Sequence, residues 1–109
     1  MSIKEIEKNA LLVAPDGELD HHSAAKIRTE VDSRLGRGVK NIIFDFSHLS
    51  FMDSSGIGMI MGRYKRIQKL GGRVIIAAPK PQVKRIIEMA GLFRIVQIEP
   101  DVKRAIKKL

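Results

Sequence analysis

Asn41-Ile42-Ile43-Phe44-Asp45-Phe46, then Ser47 to Asp53, then Ser54-Ser55-Gly56-Ile57-Gly58-Met59-Ile60-Met61 and on to Leu70: an apolar run, a break, and a segment of helical period. The first run is rich in strand formers and lacks polar alternation, which suits a strand covered on both faces. Ser47 to Asp53 reads as a loop. Beyond it Ile57, Ile60, Met61, Tyr64 and Ile67 recur every three or four residues, predicting a helix from about Ser54 to Leu70 that Gly71-Gly72 ends. A buried strand feeding a helix is the building unit of an α/β fold.

Similar units lie on both sides. Upstream, Ala10 to Ala14 form a short apolar strand stopped by Pro15-Asp16-Gly17, with Ile3 to Glu7 as its expected partner. From Asp20, a good N-cap residue, Ala24, Ile27, Val31 and Leu35 recur at helical spacing until Gly36 and Gly38. Downstream, Arg73 to Ala78 reads as another buried strand. Pro79-Lys80-Pro81 opens a helix with Val83, Ile86 and Ile87 inward and Gly91 as its stop. Ile95 to Ile98 is a last strand, and Pro100 opens a terminal helix carrying Val102, Ala105, Ile106 and Leu109. The expectation is one α/β domain over residues 1–109: a mixed, largely parallel sheet flanked by about four helices. Sites in such sheets gather where strand ends feed helix N-termini, here Asp20 to Ser23 and Asp53 to Gly58.

Composition narrows the function classes. With no Cys among 109 residues, a disulfide framework, a thiolate zinc site and a Cys nucleophile are excluded. No apolar run approaches the roughly 18 residues needed to span a bilayer, and the start of the chain does not read as a signal peptide, so a cytoplasmic protein with no membrane partner is expected. Net charge is +8, unevenly spread: residues 1–62 hold 7 basic and 9 acidic side chains, residues 63–109 hold 13 and 3. That asymmetry raises nucleic acid, anionic lipid or an acidic protein as candidate partners, with a nucleic-acid-binding module as the alternative function, although an ordinary solvated surface is the simpler reading. Arg63, Lys65, Arg66 and Lys69 form a basic run, yet one Tyr and no Trp leave little to stack bases on.

Asp53-Ser54-Ser55-Gly56 sets a carboxylate and two hydroxyls where a loop enters a helix, beside free N–H groups and the positive end of the helix dipole. Either Asp53 or Ser54 could simply cap the helix. A nucleophile elbow needs Gly two positions to either side of its Ser, and neither Ser54 nor Ser55 has that. No Gly-Lys-Ser/Thr or Gly-x-Gly-x-x-Gly sequence supports a phosphate-binding loop. His21 and His22 diverge at a helix start and His48 lies in another segment, so no metal set is expected, and no cofactor. A helical wheel places Ser55, Gly58, Met59, Gly62 and Arg66 opposite the apolar stripe. Two glycines there each cost about 1 kcal/mol of helix stability relative to Ala, which either a docking face tolerating close backbone approach or relief of crowding within the domain would offset.

Gly17-Glu18-Leu19-Asp20-His21-His22, Phe51-Met52-Asp53-Ser54-Ser55-Gly56-Ile57-Gly58 and Gly62-Arg63-Tyr64-Lys65 together resemble the anti-sigma factor antagonists of the STAS domain family, in particular its sporulation branch from Bacillus-type bacteria. The resemblance covers nearly the whole chain. It implies a regulatory protein, not an enzyme, that binds an anti-sigma factor serine kinase with its bound nucleotide and so frees a sigma factor. It also implies inactivation by phosphorylation at Ser54 and reversal by a PP2C-type phosphatase. The resemblance implies that Asp20 lies at the kinase-binding surface; with the helix start and the outward helix face read above, the expected partner-binding residues are Asp20, His22, Asp53, Ser54, Ser55, Gly56, Gly58, Met59 and Gly62.

Overall fold

The Ile42-Ile43-Phe44 run lies at the centre of the sheet, and its alternate side chains enter two different cores. A computed structural model describes all of residues 1–109. The strands are β1 (Ser2–Ile6), β2 (Ala10–Ala14), β3 (Gly17–Leu19), β4 (Asn41–Asp45), β5 (Leu49–Met52), β6 (Val74–Ala77) and β7 (Gln97–Glu99). The helices are α1 (His21–Asp32), α2 (Ser54–Lys69), α3 (Pro81–Met89) and α4 (Val102–Lys107), with a 3₁₀ turn at Leu92–Arg94. β1-β2-β4-β6-β7 form one sheet, antiparallel only between β1 and β2. Ile42 and Phe44 face a large core shared with Ile27 and Val31 of α1, Ile60 and Ile67 of α2, and Val83 and Ile87 of α3. Ile43, Ile75 and Ala77 face the other side, where Ala105 of α4 packs. Continuous apolarity along β4 and β6 therefore reflects helices on both faces, as expected.

Three readings differ from the sequence expectation, the simplest being the last strand, which starts at Gln97 rather than Ile95 because a 3₁₀ turn occupies Leu92–Arg94. The segment Ser47 to Asp53, read as a loop, contains β5, which pairs in parallel with β3 as a separate two-stranded sheet. Strands of three and four residues are too short to show a period. The first helix ends at Asp32 rather than running to Leu35, and Leu35 instead bridges to Val39 while keeping its place in the core.

Buried Asn41 ties the start of the sheet together, its amide donating to the Lys8 carbonyl at 2.8 Å and its side-chain oxygen accepting from the Arg73 N–H at 2.8 Å. Gly72 is required beside it, because any Cβ there would overlap the Lys40 carbonyl.

Arg63, a member of the basic run noted in the sequence, is buried between α1 and α2. Its Nε lies 2.9 Å from Asp32 Oδ1, a close ion contact angled off the hydrogen-bond line. Arg66 reaches the other oxygen of Asp32 at 3.4 Å. Burial lowers the Arg63 pKa and Asp32 opposes that shift, but an arginine stays charged throughout. A buried cation left unpaired is costly, whereas a pair replaced whole by apolar groups is nearly neutral. Asp32→Ala should therefore destabilise the domain by about 2 kcal/mol, since Asp32 is partly solvated, and Asp32→Leu with Arg63→Met should recover most of the loss. Urea unfolding of the three variants measures both.

Candidate functional site

Pairing of β3 with β5 puts Leu19 opposite Met52, so Asp20 and Asp53 emerge side by side from adjacent parallel strands. The Asp53 N–H donates to the Leu19 carbonyl at 3.2 Å, which fixes this register at its last residue. Each aspartate then caps a helix. Asp20 accepts from the Ser23 N–H at 3.0 Å while the Ser23 hydroxyl accepts from the Asp20 N–H at 3.0 Å, a reciprocal capping box opening α1. Asp53 accepts from the Ser55 N–H at 2.8 Å and opens α2. Between the alternatives left open by the sequence, Asp53 is the cap and Ser54 is the first residue of the helix. The Ser54 side chain is exposed, and its hydroxyl takes no part in the capping bonds. Two helix N-termini, two engaged carboxylates and one unengaged hydroxyl thus share one end of the molecule.

The Asp20 carboxyl sits below the ordinary value of 3.8 because the Ser23 backbone and then the Ser23 hydroxyl bond to it, with smaller help from His22. Such bonds favour the ionised form. His22 is exposed next to it. His21, Ala24, Ala25 and Arg28 of α1 line a shallow cleft of about 140 Å³ with Ser55 and Met59 of α2. Phe51 of β5, half exposed opposite Glu18, is a second surface feature that sequence reasoning missed; its only signal was an apolar residue one position before Met52.

The outward face of α2 departs from the helical wheel. Gly58 is exposed and Gly62 opens onto free space, with no atom within 4 Å of where a Cβ would stand on either. Met59 is buried and Met61 is exposed, the reverse of the expectation. Gly56 also faces inward: a Cβ there would lie 3.1 Å from the Leu19 side chain and from the Met52 sulfur. Neither Gly56 nor the bulk of Met59 therefore offers surface to a partner. α2 is rotated because α1 covers the flank that carries Met59 and Arg63, and Leu19 of β3 and Met52 of β5 lie under Gly56, while Met61 stays exposed.

A family model described as the STAS domain matches residues 2–105. An anti-sigma F factor antagonist of Paenibacillus polymyxa is 38% identical over 106 residues, covering 96% of this chain and 91% of that protein. The structure of the anti-sigma factor antagonist SpoIIAA in its unphosphorylated form superposes with a TM-score of 0.88 at 30% identity, covering 98% of this chain and 93% of the other. SpoIIAA in its phosphorylated form, described as a Bacillus cell fate determinant, gives a TM-score of 0.80 at 30% identity, with 98% and 96% covered.

Two outcomes follow from the site alone. Because the folded Asp20 carboxyl has a depressed pKa, its capping contribution is complete above the unfolded value of about 3.9 and is lost as pH falls through the lower folded value. Helicity followed by circular dichroism should stay flat to about pH 4 and decline below it, and Asp20→Asn should remove part of that decline. Gly58→Ala, at an open helical position, should stabilise the free domain by about 0.5–1 kcal/mol in thermal unfolding.

Proposed function

We infer that this chain, which belongs to the STAS domain family and within it to the anti-sigma factor antagonists, captures an anti-sigma factor and so releases the sigma factor it holds. The anti-sigma factor is a serine kinase with bound nucleotide, Ser54 is its phosphoacceptor, and a PP2C-type phosphatase restores the unmodified form. The observation that carries this reading is the unengaged Ser54 hydroxyl at the head of α2, exposed beside two carboxylates that are committed to capping. A relative solved in both phosphorylated and unphosphorylated forms supports a switch of this kind. The role is regulatory, and it places the protein in the cytoplasm with the transcription machinery.

The chemistry of the switch is electrostatic. Unmodified Ser54 is small and neutral, so a partner can close over it along with Asp20, His22, Asp53, Ser55, Gly58 and Gly62. A phosphoryl group adds about −1.5 to −2 charges and three acceptor oxygens. Asp20 and Asp53 cannot swing away from that charge without uncapping their helices. Inside a closed interface the phosphate would be repelled by both and poorly solvated. The helix N-terminus offsets this by only about 0.3–1 kcal/mol. Docking is therefore lost by charge and bulk, with α1 and α2 held in place by their caps and by the Arg63–Asp32 contact.

After incubation with the host's anti-sigma kinase and ATP, phosphopeptide mass spectrometry should place the phosphate on Ser54; a phosphate on Ser55 would refute the assignment. Ser54→Ala should fold, bind the kinase and resist modification, whereas Ser54→Asp should bind at least tenfold more weakly in calorimetry while melting like the parent. Gly58→Leu should also block the complex, because its side chain projects from an exposed, open position, and its melting temperature should not fall. Unchanged binding by Gly58→Leu would remove this face of α2 from the interface.

A further inference from the structure

The excess of positive charge belongs to one end of the molecule rather than to one half of the sequence. β2, β4, β6 and β7 run parallel, and the segments preceding them bring their start points to one end, opposite the capping aspartates. Lys8 lies in the turn before β2, Arg37 and Lys40 before β4, Lys69 and Arg73 before β6, and Arg94 before β7; all six are exposed. Hydrogen bonds confirm that these turns are neighbours: the Lys40 N–H donates to the Asn9 carbonyl, Asn41 joins Lys8 to Arg73, and the Lys8 ammonium reaches the Ile106 carbonyl at the end of α4. A cleft of about 270 Å³ lined by Leu35, Gly36, Arg66, Lys69 and Leu70 joins the ends of α1 and α2. Near this end Asp32 is already held by Arg63 and Arg66, and the exposed carboxylates of Glu7 and Glu88 are outnumbered by the six cations.

The same end exposes large apolar side chains. Met89 closes α3 at 81% exposure, and Phe93 and Ile95 follow at 49% and 39%. Leu70, just past α2, is 40% exposed. Ile95 shares a groove of about 250 Å³ with Tyr64, Gln68 and Arg73, so the apolar and basic residues interleave. The Arg94 guanidinium lies 5.7 Å from the centre of the Phe93 ring. Arg85 is one turn before Met89 on the same face of α3.

We propose that this end docks on an anionic lipid bilayer, with Met89, Phe93, Ile95 and Leu70 entering the interfacial layer and the surrounding cations meeting lipid phosphates. Protruding apolar side chains ringed by Lys and Arg combine the two terms that bind peripheral proteins to membranes. Charge argues against a second copy of this chain, since two such ends would repel. Nucleic acid would use the cations but leave the aliphatic side chains without a partner, and the one aromatic ring exposed at this end already lies 5.7 Å from the Arg94 guanidinium. Peripheral contact needs no spanning segment, which was the ground for expecting no membrane partner. α2 alone separates Ser54 from Lys69 by about 22 Å, more than two Debye lengths at physiological salt. The acidic caps therefore do not cancel the basic end, and Ser54 faces away from the bilayer, open to its kinase.

Co-sedimentation of the full chain with vesicles tests this, using phosphatidylcholine alone and phosphatidylcholine with about one third phosphatidylglycerol at about 0.1 M salt. The chain should sediment with the anionic vesicles only. Lys69→Gln with Arg73→Gln should reduce partitioning about 25-fold, roughly fivefold for each cation. Lys80→Gln with Lys84→Gln, which removes equal charge at the opposite end, should change it by less than about twofold. Met89→Ser with Phe93→Ser should reduce it about tenfold at unchanged charge, and Met89→Ser alone alters a residue too exposed to disturb the core. No binding to anionic vesicles, equal binding to neutral ones, or full binding by the Met89 and Phe93 variants would overturn the proposal. So would tighter binding to a DNA duplex of about 20 base pairs that ignores the apolar substitutions.

Discussion

The register of the β3–β5 pair is the constraint on which the site depends. One backbone bond, from the Asp53 N–H to the Leu19 carbonyl, fixes where two strands stop, and each strand is followed at once by an aspartate. A shift of one residue would carry Leu19 and Met52 out of the core and separate the two caps. Gly56 reinforces the register from inside α2, since the first turn of the helix rests directly on Leu19 and Met52. Ser54 is therefore presented on a rigid platform, and the same packing that stabilises the fold sets the position of the hydroxyl.

Rigidity extends along α1 and α2 through their shared flank. Met59 and Arg63 occupy that flank one turn apart, the first lying beside Ala24 and Ala25 and the second reaching Asp32 near the end of α1. This contact explains why two glycines can stand on the exposed side of α2: the helix is secured from the opposite flank and from the core by Ile60 and Ile67. Gly58 and Gly62 then leave a bare stretch of helix beside Ser54. The helix backbone is open to approach there, because no side chain stands over it.

Parallel α/β topology also organises charge. Strand ends that feed helix N-termini collect Asp20, Asp53 and Asp101 as caps, because carboxylates are the acceptors that orphan N–H groups and a positive dipole favour. The opposite end collects helix C-termini, where cations are favoured, and it carries Lys69, Arg73 and Arg94. A chain with net charge +8 thus becomes a molecule with acidic helix caps at one end and a basic opposite end.

Much of this was legible in the sequence wherever the signal is local. The continuous apolar runs of β4 and β6, the helical periods of α1 and α3, the Asp20 cap and the place of Ser54 at a helix start all depend on residues a few positions apart. Motif resemblance added the family, again from contiguous residues. What only the tertiary structure decided depends on residues far apart in the chain. β3 and β5 are too short to carry a period and exist because they pair with each other across some thirty residues. The facing of α2 was misjudged because a wheel weighs side chains by polarity, whereas α1 lies against a flank that holds a methionine and an arginine. Arg63 looked like surface because its partner, Asp32, lies on another helix. The gathering of cations and apolar side chains at one end was hidden for the same reason: each comes from a different turn, and only parallel strands bring those turns together.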